Sequence, residues 1–142
     1  MNFYELANQM ENNNHIAYTG IVLEPASRAT LLQRLGIGNG MEMGGWEIIA
    51  HHMTINLNAA ENGPAADLVG QEVELTATSF AENDRVMAVG VETDMPSINE
   101  YKHITIAVHR ANGGKPAHSN RLENWRPIPR IPLRGIVKEV PR

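Results

Sequence analysis

Two short strings in this sequence pair an imidazole with a hydroxyl at a spacing of two. His52 and Thr54 lie in HHMTINL (51–57), and His103 and Thr105 lie in HITIAV (103–108). Residues i and i+2 of a β-strand share a face. His52, Thr54 and Asn56 should therefore project from one side of the first strand, with His51, Met53, Ile55 and Leu57 on the other. By the same rule His103, Thr105 and Ala107 stand opposite Ile104, Ile106 and Val108. One such pair is commonplace. The repeated pattern H-h-T-h, with h apolar, gives two strands that each carry a greasy face for a core and a polar face for chemistry. Opening a phosphodiester with water needs one group to take a proton from the nucleophile and another to give one to the leaving oxygen. Histidine titrates near neutrality, so a neutral and a protonated imidazole can coexist at one pH. Threonine hydroxyls can steady charge on the nonbridging oxygens. No step calls for a metal.

The elements that must position these pairs can be read along the chain. Phe3, Leu6, Ala7 and Met10 fall at helical spacing, which predicts a short amphipathic helix over residues 2 to 11. HIAYTGIVLE (15–24) reads as a strand. Pro25 suits the first turn of a helix whose stripe is Leu31, Leu32 and Leu35 and whose stop is Gly36. GIGNGMEMGG (36–45) has the look of a phosphate loop, but it follows a helix and leads into a strand, the reverse of a dinucleotide-binding context. Residues 71 to 92 alternate around AEND and predict a β-hairpin, YKHITIAVHR a further strand, and the proline-rich tail ends in a short strand near LRGIVKEV.

A chain of 142 residues with 42% apolar content supports one core, hence a single domain over 1–142. No run of apolar residues is long enough to span a bilayer, and the start lacks the blocks of a signal peptide, so a soluble, cytoplasmic protein is expected. With no cysteine there are no disulfides and no thiolate chemistry. Residues 101 to 142 hold nine of the twelve Lys/Arg and only two acids, Glu123 and Glu139. That basic end either grips an anionic ligand locally or is a solvated tail. The acidic balance of the whole, −4, argues against coating duplex DNA.

The doubled H-x-T-h motif resembles the 2H phosphoesterase superfamily. That group includes RNA 2′,3′-cyclic phosphodiesterases, 2′-5′ RNA ligase-like proteins and phage enzymes that cut cyclic oligonucleotide signals. The order of strand 15–24, helix 25–35 and the His52 strand looks like its first lobe, and the hairpin 71–92 with the His103 strand looks like its second. The resemblance implies an α+β, bilobal fold in which antiparallel sheets line a central cleft with one or two helices outside. It also implies that His52 and His103 are the catalytic acid and base, that Thr54 and Thr105 bind phosphate, and that neither metal nor cofactor is used. The substrate would be a nucleotide, a cyclic oligonucleotide or an RNA end. The sequence departs from the family between the hairpin and the second motif, where only TDMPSINEY stands in place of a helix.

Other residues carry weaker signals. Tyr18 alternates with Gly20 on the first strand and either lines the cleft or packs in the core. Lys115, in NGGKP, either reaches a phosphate or base from a glycine-hinged loop or is a solvated lysine. A zinc site would need His52, His103 and a third ligand such as His109, and would leave the motif threonines unexplained. His51 is expected on the core side of its strand. Trp46 and Trp125 read as packing residues, and His15, His109 and His118 take no role. Two further functions fit the same string: a non-catalytic module that holds a nucleotide or RNA end, and a structural domain indifferent to the motif residues.

Overall fold

The computed structural model describes residues 15–38, 41 and 44–142. The helix expected over residues 2 to 11 lies outside them, as does part of the glycine-rich loop. Among the described residues seven strands follow in chain order: β1 (Ile16–Leu23), β2 (Trp46–Ile48), β3 (His52–Leu57), β4 (Glu72–Glu82), β5 (Val86–Glu92), β6 (His103–His109) and β7 (Arg126–Pro141). Helix α1 (Pro25–Leu35) opens with its proline and ends at Gly36, where the sequence places it. Short 3-10 turns complete the connections, among them Pro116–Arg121.

The strands do not form two lobes. Their order is β6-β3-β1-β7-β4-β5, all antiparallel, and β5 pairs back onto β6. The result is a closed six-stranded barrel with β2 as an extra strand on β6. This overturns the bilobal α+β expectation. The cause is the tail. β7 is a 16-residue strand and not a short one, and it inserts between β1 and β4, joining the two halves that the sequence order suggests are separate lobes.

The prolines of β7 conceal it. Proline cannot donate to a ladder and is confined to strand edges or bulges. Pro127, Pro129 and Pro132 all lie before Gly135, where β1 begins to pair, so this half of β7 has only β4 beside it. The register against β4 also shifts between Ala77 and Ser79, which takes residues 128 to 130 out of the ladder. Helix α1 covers the open edge, and Ser27 Oγ accepts the Arg134 amide at 2.8 Å.

Alternate residues of the strands fill the barrel. Ile21, Met53, Ile55, Leu75, Val89, Ile104, Ile106, Leu133 and Val137 are all essentially inaccessible. Each large side chain buried there is worth roughly 1.5–3 kcal/mol, so the interior is a core and leaves chemistry to the outer wall. A second cluster, Val86, Ala88, Val108 and Leu122, with Trp125 packed against it, fastens the segment after β6 onto the outside of β5 and β6. Among the described residues no helix is long and apolar enough to cross a membrane. The gap before His103 holds bends and no helix; Ile98 N–H there donates to Ile55 O at 2.7 Å.

Candidate active site

Met53, Ile55, Ile104 and Ile106 point into the barrel, so the histidines and threonines between them stand on its outer wall; past a register shift against β5 the expected alternation reverses, with Ala107 in the core and Val108 in the outer cluster. Met53 pairs with Ile104 across the two strands. Counting one residue each way from that antiparallel pair sets His52 opposite Thr105 and His103 opposite Thr54. The two His-Thr pairs are thus neighbours on one wall and cross diagonally, where the sequence had suggested two facing lobes. All four residues line one cavity of about 480 Å³, together with Tyr18 and Ser119.

β3 begins after a break in the wall. Ala50, fully buried, has φ +43, and its N–H and that of Ile49 reach the carbonyls of Thr105 and Ile106 on β6. This kink shifts the alternation by which His51 was assigned to the core. His51 is exposed instead and lines the same cavity, with its Nδ1 3.1 Å from His52 Nδ1 and 3.4 Å from Tyr18 Oη. Asn56 departs from the pattern at the other end. The β1–β3 register shifts between Thr19 and Gly20, and Asn56 turns inward. Its amide donates to the carbonyls of Leu57 and Ala59, while its Oδ1 is buried without a partner among the described residues. Exposed Leu57 and Ile98 take its place at the cavity mouth.

His52 stacks on Tyr18, ring centroids 4.2 Å apart, with Tyr18 Oη 3.2 Å from its Nδ1 and Thr54 Oγ1 3.1 Å from its Nε2. Burial, then the neighbouring charges of His51 and His103, hold its pKa down at about 4. At neutral pH it is therefore an uncharged imidazole. Burial raises the Tyr18 phenol, which keeps its proton. His51 is also lowered, first by burial and then by Arg28 and Lys138.

His103 has a different setting, built by a residue that no sequence pattern marked. Ser119, on the 3-10 turn and 2% exposed, has its Oγ 3.0 Å from His103 Nε2, 2.8 Å from Thr105 Oγ1 and 2.6 Å from the Pro116 carbonyl. A carbonyl only accepts, so the single Ser119 proton goes to Pro116 O. Ser119 Oγ then accepts from Thr105 O–H, with His103 Nε2 within hydrogen-bond distance of the same oxygen. His103 Nδ1 faces another carbonyl, Tyr101 O, at 2.7 Å, and must donate there. Both ring nitrogens of His103 are thus held against protein oxygens.

Tyr18, His52, Thr54, His103 and Thr105 are brought together as the sequence reading requires; Lys115 is not. Lys115 is exposed and caps the 3-10 turn, its N–H donating to His118 Nδ1 at 3.1 Å, while the next two residues, Pro116 and Ala117, reach the cavity. His109 sits elsewhere on β6, stacked on Trp46 at 4.8 Å, so the trio needed for zinc is not assembled. The basic tail does not converge on the cavity either. Arg126, Arg130 and Arg134 pair with Glu82, Glu92 and Glu72/Glu74 of the neighbouring hairpin, and Arg110 pairs with Glu47. Four of the nine cations of the tail are thus engaged with acids from the rest of the chain. Ser119 and the kink at Ala50 left no signal in the sequence, because both depend on contacts between distant segments. No family model matches the sequence, and no curated protein matches it at a significant level.

Proposed function

We propose that the protein is a metal-independent phosphodiesterase that hydrolyses a nucleotide phosphodiester, a 2′,3′-cyclic phosphate at an RNA end or a cyclic oligonucleotide, by paired-histidine acid/base catalysis. One observation carries it: both His-Thr pairs line a single cavity, with His52 held neutral and His103 anchored between the Tyr101 carbonyl and Ser119 Oγ. His52 is the base. With its proton on Nδ1 toward Tyr18, Nε2 exchanges the Thr54 hydroxyl for water and takes a proton from it as the water oxygen bonds to phosphorus. His103 is the acid, and its Nε2 proton passes to the ester oxygen as the P–O bond breaks. The products are a phosphomonoester and a free hydroxyl, with the water fully accounted for. When substrate binds, the Thr54 and Thr105 hydroxyls turn from His52 Nε2 and Ser119 Oγ to donate to the nonbridging oxygens. Leu57 and Ile98 give the cavity an apolar rim suited to a nucleoside. This proposal stands on the residues and their geometry and does not need the two-lobed architecture.

The test is to incubate the protein, with chelator present, with 2′,3′-cyclic mononucleotides, RNA ending in a cyclic phosphate and cyclic dinucleotides, and to read products by mass spectrometry. Turnover of at least one class is expected. Each of His52→Ala and His103→Ala should lose about 10²–10⁴-fold in rate; full activity in either variant overturns the mechanism.

A further inference from the structure

A second cavity, about 440 Å³, adjoins the first and shares Asn99, His103, Ser119 and Asn120 with it. Its far wall is an aromatic pair. Tyr101 stacks on Trp125 with ring centroids 4.4 Å apart and planes 21° from parallel. Both rings are fixed at their polar ends: Tyr101 Oη lies 2.8 Å from Ser79 Oγ, and Trp125 Nε1–H donates to Leu122 O at 3.0 Å. Tyr101 nevertheless keeps 45% of its surface exposed. The Cε1 edge of its ring closes over Gly90, where a Cβ would come within 2.5 Å of it. Arg121 lines the same groove, and unlike four of the other tail cations it makes no ion pair among the described residues.

We infer that this groove is a second nucleoside subsite, and that the substrate is at least two nucleotides long, with its reacting phosphate over His52 and His103. The inference rests on the catalytic reading above and specifies its substrate class. A fixed, half-exposed aromatic surface is the element on which a nucleobase stacks. Arg121 meets the phosphate that links the two nucleosides. The carboxylates of Glu100 and Glu123 also line the groove; they repel a phosphate but accept from exocyclic amino groups, so they suit the base end of the occupant. The terminal nucleoside then fills the first cavity between Tyr18 and Ile98, and its neighbour fills the second.

The experiment compares 2′,3′-cyclic AMP with the dinucleotide ApA ending in a 2′,3′-cyclic phosphate, on the full chain. The dinucleotide should show at least a tenfold higher kcat/KM. Trp125→Ala and Arg121→Ala should each bring the ratio toward one, while Trp125→Phe, which keeps a stacking face, should preserve most of it. A ratio is read because a variant that merely loosens the fold lowers both rates together. In parallel, the indole N–H resonance of Trp125 should move when the dinucleotide is added to the wild-type protein and stay in place with the mononucleotide. Equal rates for the two substrates with an unmoved Trp125 overturn the subsite and leave the catalytic proposal standing. Turnover of neither substrate counts against the catalytic proposal, and the Trp125 resonance then decides the groove on its own.

Discussion

At the scale of single residues the two histidines differ more than their matching motifs suggest. His52 titrates at about 4 because it is buried beside two other imidazoles. Since kcat/KM reports the free enzyme, its acid limb should fall near pH 4 and not near 6.5; a limb at 6.5 would remove His52 as the base. The same shift bears on stability. The folded value lies below the unfolded one, so between about 6.5 and 4 the unfolded chain binds the extra proton. The contribution is fully present above about 6.5 and is lost as the pH falls through 4, by up to about 3 kcal/mol. Denaturant titrations at pH 7 and pH 4 should show that loss in the wild type and much less of it in His52→Gln. Ser119 is the other residue to vary. Ser119→Ala leaves the Pro116 carbonyl without its donor and the Thr105 hydroxyl and His103 Nε2 without their Ser119 partner, and should cost about 1–3 kcal/mol in chemical denaturation. The chemistry of His52, Thr54, His103 and Thr105 is legible in the sequence because each pair depends only on local strand alternation. Ser119 is not, because its contacts run to residues 14 and 16 positions away.

At the scale of elements, the sequence marks strands with clear alternation and misses one that breaks composition rules. β1, α1, the β4–β5 hairpin and β6 fall where apolar patterning puts them. β7 hides behind prolines that are tolerable only because half of the strand has one neighbour, a fact about its partners and not about itself. Two local irregularities, the Ala50 kink and the β1–β3 bulge, explain why the period-two rule fails at His51 and Asn56 while holding for the residues between. Gly20 marks how closely β1 and β3 approach at the site: a Cβ there would stand 2.7 Å from Met53 O. Gly20→Ala should therefore push the His52 strand outward and destabilise the fold by about 1–3 kcal/mol, seen as a lower Tm. A Tm unchanged within error would show that the contact relaxes without cost.

For the molecule as a whole, closure of the barrel makes the tail indispensable. Without β7, strands β1 and β4 lose their common partner and the barrel opens into two unpaired edges. A chain ending at residue 125 should lose cooperative unfolding by circular dichroism; a sharp, wild-type-like transition would mean the two halves are independent units after all. The two-lobed expectation fails here because strand order along the chain does not reveal which long-range pairing unites the parts. The contact between β3 and β6 has a consequence of its own. A single residue pair, Met53 with Ile104, joins them, and the imidazoles flank it on either side. The working residues therefore straddle the thinnest seam of the barrel. Any breathing of that wall changes the spacing of acid and base before it is felt elsewhere, so amide hydrogen exchange at Met53 and Ile104 should track the fraction of molecules competent to react.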